Sequence, residues 1–588
     1  MTDARTRLES PRRRNRNTAA RAVGVVSMAT VASVLAGCGV TDTLDEFTLG
    51  YAVDVPVTTY NANTIDGAYS AAPSVFGRVL TGLSYIGPDG SPIMDRDFGT
   101  ISPVPGEADS YEINLNESAV FSDGNAVTCD DLVFAWAAGS GRFTAPDPDS
   151  GEPRQLFDTA TDWGYADIDR IDCEPGTKRA QLQFREGRSF TDWESLFSAT
   201  TVMPSHVAGR EANVPDVVAA VNEGDIDALS RLADFWNTGW TLTPGDLDLD
   251  LFPSSGPYKI DSFTDEGGLL LVKNDSWWGD PPRTPRIVVW PGMDTRDIVA
   301  RGEAQVIDVG AGSVAGLDLA GYTEHQVESL NTEQLVFNNT GVFDDVEARR
   351  AFTACVPRLR VADDVVSDYF ADDSPRRGVA SSRTTQPGSS GYSFIAGPAQ
   401  ENYLQPDIEA ASRFTESADM RVRIGYLGSD KRREETVSFI ARACKDAGIV
   451  VQNVSSRDFD PRRALANDDV DIVLGGIGGV QGPGGLASEG TNLVTLHSRN
   501  GLNIGAFSNG RIDGLVAELA VISNADARLE RFAEAEAILW NEVPTVPLFV
   551  QPRLTAHSGA SWGSFPIIPV LVRGGTWTSG SGIDSEKR

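Results

Sequence analysis

The stretch "YEINLNESAVFSDGNAVTCDDLVFAW", residues 111–136, passes through three backbone states. Extended back to Ser110, "SYEINLN" alternates in the period of two that a half-buried strand requires. "FSDGN" is built of turn formers, with a glycine free to take positive φ. "TCDDLVFAWAAG" then reads as a helix with Thr128 as its N-cap. A strand, a tight turn and a helix in so short a run are the grammar of a mixed α/β protein.

The same grammar extends in both directions. "FTLGYAV" from Phe47 reads as a strand, and "APSVFGRVLTGL" predicts a helix beginning near Pro73. "RAQLQF" is a strand that follows a polar excursion over 139–162, rich in Asp, Pro and Gly and read as an exposed loop. Residues 252–292 read as strand, turn, strand, polar loop and strand. From about 336 to 547 strands and helices alternate: "RVRIGYL" is a strand, "KRREETVSFIARACKDAG" a helix closed by Gly448, and "IVVQNV" and "VDIVLGG" are strands. The last long helix, Ala525 to Asn541, places Leu529, Phe532, Ala533 and Trp540 on one face and turns Glu530 and Glu534 away. "VPTVPLFV" is a returning strand, and "SGSGIDSEKR" reads as a frayed tail.

With 588 residues, 41% hydrophobic and 23% charged, the chain has material for two or three domains. Its net charge of −33 argues against nucleic acid and against broad docking on an anionic membrane. The amino terminus differs in character. Seven arginines, Arg5 to Arg21, precede the weakly apolar "AVGVVSMATVASVLAG", too short and too rich in small residues for a membrane span. This is the shape of an export signal, and it ends in "LAGC", Leu35 to Cys38. Removal of residues 1–37 leaves 43 basic and 81 acidic residues, a net −38, so charge would not hold the remainder on an anionic membrane. Four further cysteines, Cys129, Cys173, Cys355 and Cys444, suit disulfides in an exported chain and allow three pairings.

A catalytic centre is not visible. The P-loop, HExxH and EF-hand patterns are all missing, and four scattered histidines without a CxxC argue against zinc. "GGIGGVQGPGG", residues 475–485, holds seven glycines after a strand, but Pro483 lies within it and no second strand–helix unit follows, against a dinucleotide loop. Adjacent pairs such as Asp344 with Asp345, or Asp468 with Asp469, read as solvated turns or helix caps rather than acid and base. No cofactor is expected.

Several segments, taken together, resemble the family 5 (cluster C) extracellular solute-binding proteins of ABC importers, which include oligopeptide- and dipeptide-binding lipoproteins. They are the opening stretch, "SGPYKI" (255–260), "VKNDSWWGDPP" (272–282), "EAQVIDVG" (303–310), "LVFNNTGVFDDVEARRAFTACV" (335–356), "FSNGRIDGLVAEL" (507–519) and "ARLERFAEAEAILWNEVPTVPLFV" (527–550), in family order. "LAGC" resembles a lipobox, whose cysteine is acylated. The resemblance implies an α/β, two-lobed, type II periplasmic-binding-protein-like fold. Residues 1–37 would be the signal peptide and 38–46 a lipidated linker. Lobe I would span 47–335, with an inserted subdomain near 70–190, lobe II 336–547, and 548–588 would return to lobe I. It further implies a monomeric, non-enzymatic receptor on the outer face of the cell membrane, with a peptide or other small solute and ABC permease subunits as partners. Each lobe would then hold one cysteine pair, Cys129 with Cys173 and Cys355 with Cys444.

In many peptide-binding relatives the strand matching "VDIVLGG" runs on into a tryptophan and an aspartate that holds the peptide's ammonium; here those positions carry Ile477 and Val480. The expected ligand contacts are therefore the glycine loop itself, Gly478, Gly479, Val480 and Gln481, with Glu489 as a replacement acid. Tyr60, Asn61, Tyr392, Phe394, Arg499 and Asn503 are further candidates, since aromatics stack on ligands and arginine grips carboxylates. Two rival readings are an exported hydrolase or oxidoreductase, which should show a nucleophile–base pair or a cofactor loop, and an envelope scaffold that keeps the fold without solute.

Overall fold

The computed structural model describes residues 48–86, 92–147, 151–282, 284–310, 317–370, 373–374, 377–385, 387–397, 401–415, 420–476 and 490–558. Its spine is one ten-stranded mixed sheet, in the order 258–264, 268–273, 286–291, 48–53, 306–310, 545–558, 322–337, 472–476, 420–425, 449–453. Eight of these strands have ordinary lengths. The remaining two, Tyr322–Phe337 and Thr545–Ser558, run for 16 and 14 residues and lie antiparallel at the centre. Val306–Gly310 pairs with the far end of Thr545–Ser558, whereas Ile472–Gly476 pairs with the far end of Tyr322–Phe337. Each long strand therefore serves two half-sheets, and the expected boundaries at 335/336 and 547/548 fall inside them.

On the first side, Thr48–Val53 lies parallel to both Arg286–Pro291 and Val306–Gly310. On the second, Met420–Gly425 lies parallel to Ile449–Asn453 and Ile472–Gly476. A separate antiparallel sheet, Gly99–Pro103, Ser110–Leu115, Arg179–Phe184 and Ile168–Cys173, is the insertion, and its apolar face joins the first core. The opening stretch sits here. Ser110–Leu115 is a strand and Cys129–Gly139 a helix whose N-cap is Thr128; the Asp131 carboxylate accepts from the Thr128 N–H at 2.8 Å and from the Ser205 hydroxyl at 2.6 Å.

Both disulfides join the expected partners. Cys129 and Cys173 tie that helix to the insertion sheet, with Cα atoms 5.8 Å apart, and Cys355 and Cys444 tie two helices of the second core, at 4.9 Å.

Three elements depart from expectation. The helix near Pro73 is only Ala72–Phe76, because the carbonyls that would continue it are taken elsewhere: Arg78 O accepts from the Tyr258 N–H at 3.2 Å and Val79 O from the Ser254 hydroxyl at 2.7 Å. The excursion 139–162 is not simply an exposed loop, since it forms a hairpin from Thr144–Pro146 and Pro153–Gln155 and buries Phe157 and Ala160. The helix Ala525–Glu542 is buried on two faces. Phe532, Ala535 and Leu539 enter the first core, while Glu536 pairs with Arg383 at 3.1 Å and Trp540 lies under the Arg358 and Arg383 guanidinium groups at 4.9 and 4.4 Å. Apolar side chains from Leu493 to Leu539 thus belong to the first core, although their position in the chain assigns them to 336–547.

The long strands carry a buried charge. Glu333 is fully enclosed; its Oε1 accepts from Arg433 Nε at 2.7 Å and its Oε2 lies 3.4 Å from Arg432 Nη1. Burial alone would push this carboxyl up, but Arg432 and Arg433 outweigh it and bring it down from 4.5 to about 2. A depressed carboxyl adds stability that is complete above its unfolded value and is lost as pH falls through the folded one. Unfolding free energy measured by urea titration is therefore expected to drop by about 3 kcal/mol between roughly pH 4.5 and pH 2 on account of this group. Glu333→Gln should remove that part of the slope and lower stability at neutral pH, where it strands two buried arginines. An unaltered acid slope in Glu333→Gln would assign the titration elsewhere.

Candidate functional site

In parallel sheets, ligand sites form beyond the carboxyl ends of the strands, where loops and helix N-termini converge. Here the carboxyl ends of the parallel strands in both half-sheets contribute to the same gap. Tyr426 and Leu427 follow Met420–Gly425, Gly475 and Gly476 end Ile472–Gly476, and the loop Arg457–Asp460 comes after Ile449–Asn453. Across from them, Pro56 and Thr58 follow Thr48–Val53, and Asp66 and Tyr69 come from the short helix Ile65–Ala68 and its C-cap. Between the two sides lies a cavity of about 440 Å³ whose apolar wall is Tyr69, Val336, Tyr426, Phe459, Val473 and Ile504. Gly475 and Gly476 offer only backbone, and a Cβ added at Gly475 would meet nothing within 4 Å.

A second recess of about 580 Å³ adjoins the first, with Tyr426 and Arg457 lining both. Its walls are polar and carry Asp54, Asp294, Asp430 and Glu434 together with Arg296, Lys431 and Arg457. The cleft thus has an aromatic compartment and a charged one of both signs.

The mouth is bridged by charge. Arg462, on the helix Pro461–Ala466, donates from Nη2 to Asp158 Oδ1 at 2.7 Å and from Nη1 to Asp158 Oδ2, and lies 3.7 Å from Asp66. Burial raises the Asp66 carboxyl above its usual range, with Arg462 pulling the other way. Deeper in, Arg433 lines the cavity while its Nε and Nη2 are held by Glu333, so the wall of the site and the long strand share one ion pair.

The candidates named from sequence fall in three groups. Cys38, Gly478, Gly479, Val480, Gln481 and Glu489 lie outside the described residues. Tyr60 and Asn61 are structural and do not line the cavity. The Tyr60 hydroxyl donates to the Pro253 carbonyl at 2.8 Å with its ring edge-on to Phe76 and Phe252, and the Asn61 amide donates to the Trp236 carbonyl at 3.0 Å. Tyr392, Arg499 and Asn503 are also placed away from it. The Tyr392 hydroxyl accepts from the Ser381 N–H at 2.9 Å, Arg499 is exposed, and Asn503 closes its own turn by donating to the Phe507 carbonyl at 2.7 Å. Phe394 is 57% exposed.

What the sequence reading missed are Tyr69, Tyr426, Phe459 and the Asp158–Arg462 pair. Tyr426 had a usable signal, lying at the carboxyl end of the predicted strand "RVRIGYL". The rest are joined only by the fold. Among the described residues, the group with metal-ligand spacing is Cys129, Asp130 and Cys173, whose sulfurs are spent in a disulfide.

If the Asp158–Arg462 pair holds the cleft closed, Arg462→Ala and Asp158→Ala should each raise the radius of gyration by small-angle scattering, and the double variant should go no further than either single one. The coupling expected for a half-exposed two-point pair is about 1 kcal/mol. Independent, additive effects would show that the two side chains do not act together.

Comparison with known proteins agrees with this architecture. Residues 106–486 match the family described as bacterial extracellular solute-binding proteins, family 5. The chain is 39% identical over 552 residues to the uncharacterized lipoprotein Rv2585c of Mycobacterium tuberculosis (strain ATCC 25618 / H37Rv), covering 92% of this chain and 94% of that one. Among solved structures, the periplasmic EDTA-binding protein EppA superposes with a TM-score of 0.69 at 16% identity, over 91% of this chain and 95% of that one. The oligopeptide-binding protein AppA from Bacillus subtilis, in complex with a nonapeptide, gives 0.65 at 14% identity, over 87% and 94%. Members of the family bind peptides or small solutes and work with ABC transporters. The two-lobed chain described here belongs to the family 5 bacterial extracellular solute-binding proteins, binding proteins rather than enzymes.

Proposed function

We propose that this protein is an extracytoplasmic receptor, anchored by lipid on Cys38, that encloses a short oligopeptide between its lobes and delivers it to the permease of an ABC importer. The observation that carries the reading is the interlobe cavity of about 440 Å³, walled by aromatic and backbone groups and bridged at its mouth by Arg462 and Asp158. Sites of this size hold small molecules, with apolar walls supplying affinity and a few polar groups fixing orientation. A short peptide suits such a lining because its side chains pack on Tyr69, Tyr426 and Phe459 while its backbone meets the side-chain-free main chain at Gly475 and Gly476. The recess beside it carries carboxylates and cations together, groups that can meet the charged ends of a peptide. The nonapeptide carried by the AppA structure supports the peptide class. Anchoring is supported by "LAGC" and by the lipoprotein name of the mycobacterial relative.

A second reading, a non-peptide polar solute, is favoured by the missing aspartate at the family's amine-binding position, where Val480 stands, and by the EDTA named for EppA. One experiment separates them. The purified chain is analysed by native mass spectrometry for co-purified ligand and then melted against tri- to pentapeptides and, separately, against polycarboxylates and amino-acid conjugates. A peptide at 100 times its Kd should stabilise the fold by about 2.7 kcal/mol. A shift with peptides only is the expected outcome. Shifts with non-peptide solutes alone establish the second reading, and an empty protein that responds to nothing overturns both.

A further inference from the structure

We infer that the site recognises its peptide by the carboxyl end, with Arg457 taking the terminal carboxylate and the aromatic compartment taking a bulky apolar side chain of the last residue. The inference rests on the peptide reading of the cleft and assigns it a ligand orientation and a specificity-determining residue.

Arg457 stands where the two compartments meet, since with Tyr426 it lines both the cavity of about 440 Å³ and the recess of about 580 Å³. Backbone sets its position. Beyond the paired strands Met420–Gly425 and Ile449–Asn453 the two segments stay side by side: the Val454 N–H donates to the Ile424 carbonyl at 2.9 Å and the Gly428 N–H to the Ser456 carbonyl at 2.8 Å. A parallel bridge joins Leu427 to Ser456. Tyr426 precedes that bridge and Arg457 follows it, and the Asn453 amide donates to the Tyr426 hydroxyl at 3.0 Å. The ring and the guanidinium are thus carried on two segments held in register at the carboxyl ends of parallel strands.

The other cations lining the two compartments each have a carboxylate. Arg296 grips Asp294 at two points, 2.9 and 2.6 Å, and Arg433 is held by Glu333 at 2.7 Å. Lys431 lies 3.8 Å from Glu435, and Arg463 has Asp458 as its charged neighbour. Arg457 is exposed and makes no hydrogen bond or ion pair with the described residues. Its charge reaches Asp294 only through space: that carboxyl is held below its usual range first by the hydrogen bond from Arg296, and last by the more distant Arg457. The fork of donors on Arg457 is therefore open to a ligand. The carboxylates of the cleft are better matched, Asp294 by Arg296, Asp66 by Arg462 at 3.7 Å and Asp430 by Arg432 at 3.3 Å. The amine-binding aspartate of relatives is missing as well, with Val480 in its place.

The last residue of a peptide carries its side chain and its carboxylate on one carbon. An apolar side chain seated against Tyr69 and Phe459 would bring that carboxylate to the boundary of the aromatic compartment, where Arg457 stands. A carboxylate drawn toward apolar walls is costly unless it is matched, and the planar guanidinium meets both of its oxygens. Such recognition asks nothing of the amino terminus.

Isothermal titration compares alanyl-alanyl-phenylalanine as the free acid, as its carboxyl-terminal amide and as its N-acetyl derivative. Wild type should bind the amide on the order of tenfold more weakly than the acid, and N-acetylation should change little. Arg457→Gln, at an exposed side chain whose loss removes no contact of the fold, should keep its melting temperature, bind the acid on the order of tenfold more weakly and no longer distinguish acid from amide. Alanyl-glutamyl-phenylalanine amide should bind wild type no better than the alanyl amide; recovered affinity there would assign the carboxylate to a side chain and overturn the terminal reading. Equal binding of acid and amide by wild type, or equal losses for both in Arg457→Gln, would overturn the inference while leaving the peptide reading intact. A large loss on N-acetylation with none on amidation would place recognition at the amino end and overturn it too. If wild type binds none of these peptides and nothing from a casein hydrolysate, the peptide reading itself falls, and this assignment with it.

Discussion

The antiparallel pairing of Tyr322–Phe337 with Thr545–Ser558 is the constraint on which the rest of the molecule depends. Two strands long enough to belong to two half-sheets fix both lobes to one spine and force their parallel strands to end against a common gap. The ladder is not uniform, with register shifts between Glu328 and Thr332 and between Glu333 and Gln334. Such irregularities raise local twist and leave groups outside the regular pairing. Glu333 and Gln334 occupy that point. One is neutralised by Arg432 and Arg433, and the other lacks a partner.

A buried carboxylate between two arginines is a poor device for stability compared with well-packed apolar side chains. Its value here is positional. Arg432 and Arg433 open the helix Lys431–Lys445, where positive charge opposes the helix dipole, and Asp430 caps the same helix end by accepting from the Arg433 N–H at 3.0 Å. Glu333 offsets that unfavourable charge and so pins the helix start to the strand beside the cavity that Arg433 lines. The Glu536–Arg383 pair does comparable work for the helix Ala525–Glu542, which spans from the first core to the second lobe. Rigid attachments of this kind leave the cleft mouth, with its half-exposed Arg462–Asp158 bridge, as the weaker contact between the lobes.

Legibility in the sequence followed the range of the forces involved. The strand Ser110–Leu115 and the helix Cys129–Gly139 were readable because alternation and capping act over a few residues. The short helix Ala72–Phe76 was over-read because Ser254 and Tyr258, far along the chain, claim its next carbonyls. Glu536 carried no local signal of its burial, since its partner Arg383 is 153 residues away. Tyr60 looked like a ligand-stacking aromatic after a strand, yet Phe76, Phe252 and the Pro253 carbonyl enclose it.

By itself, the sequence determined the α/β class, the family resemblance and the local elements that alternate along the chain. These depend on periodicity, capping and short motifs, all of which survive in one dimension. Only the tertiary structure decided which residues face the cleft, because Tyr69, Val336, Tyr426, Phe459 and Val473 come from five separate segments brought together by strand ends and a shared ladder. It also gave the first glycine after "VDIVL" its meaning at Gly475, where a missing side chain leaves open volume at the cavity wall. Burial and partnership are properties of neighbours in space, and no local pattern records them.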